Sequence, residues 1–182
     1  MPGMLTERLK LLPLSRASCA VAAADGVGLG RTLGVAVAAG WPPEHFDDGA
    51  LAWLGAKLAA GETAEWLLYF VVLGASGKPA NPLVIGTAGY KGPPDRTGAV
   101  EVGYSILPQF QRRGYASEAV RALIARAFAD PRVTRVCAET FPELAPSLRV
   151  MEKCGLVFVG PGQEPRAVHY ELTRADWETQ RA

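Results

Sequence analysis

The stretch from Ala99 to Asp130 decides the fold, and it reads AVEVGYSILPQFQRRGYASEAVRALIARAFAD. Its first segment, Val100 to Leu107, is rich in β-branched and aromatic residues, which is typical of a strand. Pro108 ends that strand, because proline has no N–H to donate to a sheet ladder. From Ala116 to Phe128, apolar residues recur at steps of three and one, which predicts one face of a helix. The stretch therefore predicts a strand, a short loop and a helix in succession.

The loop between these two elements is suited to hold an anion. A helix start exposes backbone N–H groups without internal partners, and the helix dipole makes that end electropositive. Gly114 lets a ligand approach the backbone closely, and the small Ala116 keeps the next turn open. Arg112 and Arg113 add positive charge. The loop therefore predicts a seat for a phosphate or pyrophosphate, and the alternative is a basic loop that only caps the helix.

The loop and three other segments carry a resemblance to a known family. The hexad from Gln111 to Ala116 has the form Gln-x-x-Gly-x-Ala after a strand and a proline, and so resembles the acyl-CoA pyrophosphate loop of the GCN5-related N-acetyltransferases. Pro142 to Leu156 is similar to the second conserved helix of that family. Leu5 to Leu11 and Val168 to Leu172 resemble its ribosomal-protein-alanine acetyltransferase-like branch. The resemblance implies transfer of an acetyl group from acetyl-CoA, without a metal, to a primary amine of a protein N-terminus or a small molecule.

The resemblance also implies a coenzyme site. Its predicted members are Ile106, Leu107, Gln111, Arg112, Arg113, Gly114, Tyr115, Ala116, Ser117, Arg149 and Lys153. The backbone N–H groups near Ile106 and Leu107 are expected to polarise the thioester carbonyl, as an oxyanion hole does. Arg149 and Lys153 are four residues apart and share a helix face, so they either meet the phosphate of the nucleotide or are solvated.

Four further residues are candidates for the chemistry itself. The resemblance places the general base at Glu101, in the segment Glu-Val-Gly-Tyr, while Glu139 in the neighbouring strand is the rival base and a candidate acceptor contact. Both would face a gap where two strands diverge, and the sequence does not choose between them. Tyr104 either lines the acceptor pocket or packs in the core. Ser147 either caps the second helix or hydrogen-bonds the thioester sulfur.

Leu144 departs from the pattern of the branch, which usually carries asparagine at this place. Leucine cannot hydrogen-bond the coenzyme arm as the asparagine does. This departure keeps a second function open, namely a non-catalytic acyl-CoA-binding regulatory module with the same fold.

The bulk composition bounds the class of protein. The chain has 182 residues, 49% of them hydrophobic and 20% charged, which predicts a single globular domain over residues 1–182. A net charge of +1 gives no electrostatic case for nucleic acid, and the longest apolar run, Trp66 to Ala75, is too short to span a membrane. The resemblance leaves a homodimer open as the oligomeric state.

The cysteines and histidines favour a reducing, cytoplasmic location and direct acetyl transfer. Cys19, Cys137 and Cys154 form no CxxC pair, and with His45 and His169 as the only histidines a zinc site is not expected. Neither of the last two cysteines has a histidine nearby in sequence, so an acyl-enzyme is not expected. His169 itself is predicted to lie on the surface of a strand.

The remaining patterns complete the predicted fold. An aspartate, Asp47 or Asp48, caps a helix that runs to about Ala60, and the segment from Gly74 to Asn81 is a hairpin connection. Further strands are predicted at Leu9–Leu14, Glu65–Leu73, Pro82–Lys91, Val133–Phe141, Leu156–Val159 and Ala167–Thr173, and a helix at Ser147–Cys154. The class is α+β, with a mixed, largely antiparallel twisted sheet of about six to seven strands flanked by helices.

Overall fold

A computed structural model describes residues 3–22, 26–74 and 81–181 of the chain. Within these ranges, a single sheet contains nine strands: β1 (Met4–Leu5), β2 (Leu9–Pro13), β3 (Ala36–Val37), β4 (Leu68–Leu73), β5 (Leu83–Tyr90), β6 (Ala99–Ile106), β7 (Arg135–Thr140), β8 (Val157–Pro161) and β9 (Val168–Thr173). Their order is β1-β2-β4-β5-β6-β7-β9-β8, and β3 pairs with β5. The β3–β5 and β6–β7 pairs are parallel and the others antiparallel.

The α+β class with a mixed, largely antiparallel sheet is confirmed. The predicted strand count is slightly low, because β1 and β3 have two residues each and are too short to show an alternating pattern. The predicted hairpin connection at Gly74–Asn81 falls largely on residues 75–80, which lie outside the described residues.

Six helices flank the described sheet: α1 (Arg16–Val21), α2 (Gly26–Leu33), α3 (Asp48–Ala59), α4 (Tyr115–Phe128), α5 (Ala145–Lys153) and α6 (Arg174–Thr179). Asp47 is the N-cap of α3, and its carboxylate accepts a hydrogen bond from the Ala50 N–H at 2.9 Å. The helices α1 to α3 cover one face of the sheet, where Leu29, Leu54 and Phe70 are buried together. The helix α4 covers the other face with Leu123 and Ile124.

The strands β6 and β7 separate after a short pairing. Three residue pairs join them, Ala99 with Arg135, Val100 with Val136, and Glu101 with Cys137. Beyond Glu101, the described register pairs β6 with β5 alone and β7 with β9 alone. The predicted divergence is therefore present, and we call the space between Val102–Ile106 and Ala138–Thr140 the gap. The helix α4 starts at the end of β6 that borders the gap.

Candidate coenzyme and acceptor site

The loop from Gln111 to Gly114, called the coenzyme loop below, joins the end of β6 to α4. The Gln111 side chain anchors its start by donating from Nε2 to the Ile106 carbonyl at 2.8 Å. Arg112 and Gly114 have left-handed backbone, with φ of 60° and 82°. At Gly114 this conformation costs little, because glycine has no Cβ. The loop therefore turns sharply and delivers the chain directly into the first turn of α4.

The start of α4 offers backbone donors to a ligand. Gly114 is the N-cap and has no side chain to cap the helix, and the Glu118 N–H is the first that donates back, to the Gly114 carbonyl at 3.0 Å. The N–H groups of Tyr115, Ala116 and Ser117 therefore have no partner within the helix. This set of donors at the positive end of a helix dipole suits a pyrophosphate.

A cavity of about 510 Å³ lies beside this helix start. It is lined by Glu7, Arg8, Gly114, Ser117, Glu118, Arg121 and Lys153. Lys153 lines this cavity, whereas Arg149, one turn earlier in α5, is exposed and lies outside the lining. The sequence reasoning missed Arg8 and Arg121. No sequence pattern around Arg8 reveals its contact with the loop, because Arg8 and Arg113 are 105 residues apart along the chain.

Glu101 and Glu139 lie on the same face of the sheet, opposite α4. Val100 and Val102 are buried in the α4 cluster, so the alternation of a strand turns Glu101 to the other face. Glu101 forms an ion pair with Lys91, and its side chain is 18% exposed. Glu139 lies two residues beyond Cys137, the partner of Glu101, where the strands have separated. The structure thus brings both predicted carboxylates to the gap.

Glu139 has more partners than Glu101. It accepts a hydrogen bond from the Gln163 N–H at 3.0 Å, and its Oε1 lies 2.9 Å from Nδ1 of His169. Burial alone would raise the pKa of Glu139, but the hydrogen bonds from His169 and Gln163 and the nearby positive charges lower it. Glu139 is therefore a stably ionised carboxylate, and each of its two oxygens already has a hydrogen-bond partner.

The prediction that His169 is a surface residue is wrong. Its ring lies between two carboxylates, with Nδ1 2.9 Å from Glu139 and Nε2 3.1 Å from Glu171. The side chain is only 20% exposed. A neutral imidazole has one donor nitrogen, so only the protonated ring donates to both neighbours. Burial alone would lower the pKa of His169, but the hydrogen bonds and charges of Glu139 and Glu171 outweigh it and raise the pKa.

This arrangement predicts a pH-dependent contribution of His169 to stability. A histidine whose pKa is raised on folding stabilises the fold below its unfolded pKa, and that contribution is lost as the pH rises through the folded pKa. We expect wild type to melt above His169→Gln by about 2–4 °C at about pH 6, the shift that 1 kcal/mol produces in a chain of this size. The difference should shrink toward about pH 9. Thermal melts of both proteins across this range test it, and a difference that grows with pH would contradict it.

Tyr104 and Ser147 meet at the gap. The Tyr104 hydroxyl donates to the Ser147 carbonyl at 3.0 Å and lies 3.1 Å from Ser147 Oγ, which connects β6 to α5. Burial raises the pKa of Tyr104 to about 12, so the phenol is protonated at neutral pH. The capping alternative for Ser147 is wrong, because α5 begins at Ala145 with Leu144 at the N-cap. Leu144 is 38% exposed and provides no side-chain hydrogen bond there.

The two predicted backbone donors differ in their availability. The Leu107 N–H donates to the Ile85 carbonyl at 2.9 Å within the sheet, which contradicts its predicted role at the thioester. Hydrogen-bonded pairs alternate along antiparallel strands, so the N–H of Ile106 points away from β5 and into the gap. Ile85 lies in the preceding strand, and no pattern within the segment of Leu107 shows which donor the sheet uses.

The buried cysteines are poor nucleophiles. Burial raises the pKa of Cys137 to about 12 and that of Cys154 to about 11, so both thiols are protonated at neutral pH. Within residues 3–22, 26–74 and 81–181, no group of three His, Cys, Asp or Glu side chains is arranged to hold a metal ion. Over the same residues, no helix has the length and apolar character needed to cross a membrane.

The sequence of this chain is similar to a family of acetyltransferases and to several curated acetyltransferases. The model of a family described as "Acetyltransferase (GNAT) domain" matches residues 29–157. FsC-acetyl coenzyme A-N(2)-transacetylase from Aspergillus fumigatus is 34% identical over 92 residues, which cover 45% of this chain and 39% of that protein. The N-acetyltransferase YnaD from Bacillus subtilis, described as uncharacterized, is 41% identical over 56 residues, 31% of this chain and 33% of that protein. The matched segments span less than half of these relatives.

Solved structures share the fold over nearly the whole chain. The ribosomal-protein-S5-alanine acetyltransferase from Vibrio fischeri superimposes with a TM-score of 0.62 at 19% identity, covering 97% of this chain and 99% of that one. The aminoglycoside acetyltransferase AAC(6')-Ib in complex with coenzyme A gives a TM-score of 0.60 at 18% identity, covering 96% and 99%. At these identities the likeness shows the fold alone.

Proposed function

Because the chain belongs to the GNAT family of acetyltransferases, we propose that it transfers the acetyl group of acetyl-CoA directly to a primary amine of a protein N-terminus or a small molecule. The observation that carries this proposal is the gap between β6 and β7. It has the free donors of the α4 start at one end and a carboxylate, Glu101, at the other end, in the last residue pair that joins β6 to β7. An acyl donor with a pyrophosphate and an amine acceptor need these two features together.

Each element of the site has a role in this reaction. The N–H groups from Gly114 to Ser117, with Arg112 and Arg113, bind the pyrophosphate. The Ile106 N–H donates to the thioester carbonyl oxygen and stabilises the negative charge that develops there. Ser147 hydrogen-bonds the sulfur in this proposal, which its Oγ, beside Tyr104 at the gap, supports.

Glu101 takes the proton of the amine, because an ammonium group cannot attack a carbonyl. The amine nitrogen then forms the new C–N bond, and the C–S bond breaks with its electron pair on the sulfur of CoA. The second proton of the nitrogen passes to that sulfur, so CoA leaves as a thiol. The raised pKa values of Cys137 and Cys154 support direct transfer, since neither thiol is a thiolate at neutral pH.

A thiol-release assay with a panel of amines tests this function. The panel contains peptides with free N-termini, amino acids, polyamines and aminoglycosides, and we expect CoA release with at least one of these classes. Leu144, apolar and half-exposed at the N-cap of α5, favours the second candidate, a non-catalytic acyl-CoA-binding module. CoA binding without thiol release for any amine would decide for that module, and the absence of both would reject the two proposals together.

The position of Lys153 predicts a preference for the 3′-phosphate of CoA. Because Lys153 lines the cavity beside the helix start, CoA should bind more tightly than 3′-dephospho-CoA. The expected preference is up to about fivefold, as an exposed ion pair worth about 1 kcal/mol supplies. Rising salt should weaken CoA binding, because exposed charges are screened over about 8 Å at physiological ionic strength.

Calorimetry with both ligands on two variants checks this preference. Lys153→Met keeps the aliphatic stem and should abolish the discrimination between CoA and its dephospho form. Arg149→Met removes the same charge one turn earlier, outside the cavity lining, and should preserve it. Equal affinity of the wild type for both ligands would show that the Lys153 charge is merely solvated.

A further inference from the structure

We infer that Arg8 is a positioning residue of the coenzyme loop, which sets the direction of the Gly114 N–H through the carbonyl of Arg113. Arg8 lies in the turn between β1 and β2, far from the loop in sequence. The inference rests on the proposed function, because it assigns Arg8 to the same coenzyme site.

The Arg8 guanidinium lies against the loop where the chain enters α4. Its Nη1 donates to the Arg113 carbonyl at 2.9 Å across 105 residues of sequence. Its Cζ lies 4.7 Å from the centre of the Tyr115 ring. A Cβ added to Gly114 would be 3.2 Å from Nη2. A single side chain therefore contacts or borders three consecutive residues of the coenzyme site.

Glu118 holds the guanidinium in this position. Its carboxylate accepts hydrogen bonds from Arg8 Nε at 2.7 Å, from the Arg8 N–H at 2.8 Å and from the Thr6 hydroxyl at 2.6 Å. Burial alone would raise the pKa of Glu118, but these hydrogen bonds and the charge of Arg8 lower it, so the carboxylate is ionised at neutral pH. Glu118 belongs to the first turns of α4 itself. The turn, the loop and the helix are thus connected in a closed ring of contacts.

By binding the Arg113 carbonyl, Arg8 also fixes the direction of the next backbone donor, the Gly114 N–H. In a trans peptide the C=O and the following N–H lie in one plane and point in opposite directions. With the Arg113 carbonyl bound to Arg8, the Gly114 N–H points away from the guanidinium. The left-handed φ of 82° at Gly114 directly follows the 113–114 peptide and belongs to this orientation of it. Arg112, with φ of 60°, also has a backbone conformation that arginine rarely adopts, and the Arg8 contact lies one residue further along the loop.

To position the loop, the Arg8 side chain needs the planar guanidinium group, because a positive charge alone does not join two acceptors in a fixed geometry. The guanidinium donates from Nε to Glu118 and from Nη1 to Arg113 at the same time. A lysine ammonium keeps the charge but lacks the fixed geometry that joins two acceptors. Arg8→Lys therefore separates positioning of the loop from simple attraction of the phosphates.

Two acyl donors make the test specific for the phosphate end of the coenzyme. We expect Arg8→Lys to lower kcat/KM for acetyl-CoA about tenfold, through KM. The same variant should leave kcat/KM for S-acetylpantetheine, which has no phosphate, and the KM of the amine unchanged. Damage to the fold as a whole would lower kcat/KM for both donors. Calorimetry should show the same tenfold loss of CoA affinity.

Arg16 provides a matched control on the other face of the sheet. Its Nη2 donates to the Leu58 carbonyl at 2.8 Å between α1 and α3, so Arg16→Lys changes the same kind of contact away from the coenzyme loop. It should change the kinetics of neither donor. Wild-type kinetics for Arg8→Lys, or equal losses with both donors, would overturn the inference and leave the proposed function intact. A wild-type protein that neither binds CoA nor transfers acetyl would overturn both.

Discussion

Replacing Glu101 with glutamine should lower kcat about 10²–10⁴-fold, the contribution of a positioned general base, and leave CoA affinity nearly unchanged. Glutamine keeps the shape of the side chain but cannot accept the proton of the amine. Glu101 lies on the face of the sheet away from α4, in the last residue pair before β6 and β7 separate. The loss should become smaller at high pH, where the amine loses its proton to solvent. Steady-state rates across pH, with CoA titrations of both proteins, provide the measurement.

Glu139→Gln is the matched control for this prediction. Its carboxylate is occupied by His169 and by the Gln163 N–H, so removing its charge should affect kcat less. If Glu139→Gln is inactive while Glu101→Gln turns over normally, the base is Glu139. If both variants keep normal rates, the proton leaves through water, and neither carboxylate is the base.

Replacing Gly114 with valine should weaken CoA binding at least about tenfold, or about 1.4 kcal/mol. Gly114 has φ of 82°, a conformation that β-branched residues avoid, and its Cβ would approach Arg8 Nη2 at 3.2 Å. The backbone would have to move, and the donors of the first turn would move with it. Gly114 lies in an exposed loop, so the fold itself should persist. Calorimetry with CoA and a thermal melt measure the two effects separately.

Gly61→Val separates backbone strain from loss of the site. Gly61 also has a left-handed φ, 88°, and a Cβ there would meet nothing within 4 Å. It follows α3, on the opposite face of the sheet. Gly61→Val should therefore lower the melting temperature about as much as Gly114→Val does, but leave CoA affinity unchanged. If folded Gly114→Val binds CoA as tightly as the wild type does, the coenzyme loop does not bind the phosphates.

Local patterns in the sequence predict the core of the fold and the loop. The strand before Pro108, the turn at Gly114 and the helix to Phe128 all follow from neighbours within a few residues, and all are observed. The N-cap of α3, Asp47, is likewise predicted from residues next to it in the sequence. The short strands β1 and β3 and the helix α6 escaped prediction, because two to six residues are too few to establish a period.

The contacts that complete the site join distant segments of the chain and have no local signal. Arg8 is 110 residues from Glu118 along the chain. His169 has the alternation of an outward-facing strand residue, yet that face also carries Glu139 and Glu171 from its own and the adjacent strand. The Leu107 N–H is predicted from the sequence to contact the thioester, but it donates to the Ile85 carbonyl in the neighbouring strand. These errors arise because a sequence pattern gives the face of a residue but not its neighbours across the sheet.

Under the proposed function, the short junction between β6 and β7 couples folding to coenzyme binding. Three residue pairs in the described sheet connect the antiparallel half containing β4 and β5 to the half containing β8 and β9. Parallel strands need a crossover, here through α4, so this junction joins segments of the chain that lie on either side of that helix. The gap exists in the native chain and is lost when the chain unfolds. By mass action, acetyl-CoA bound in the gap as proposed should draw the folding equilibrium toward the native state and so stabilise the chain.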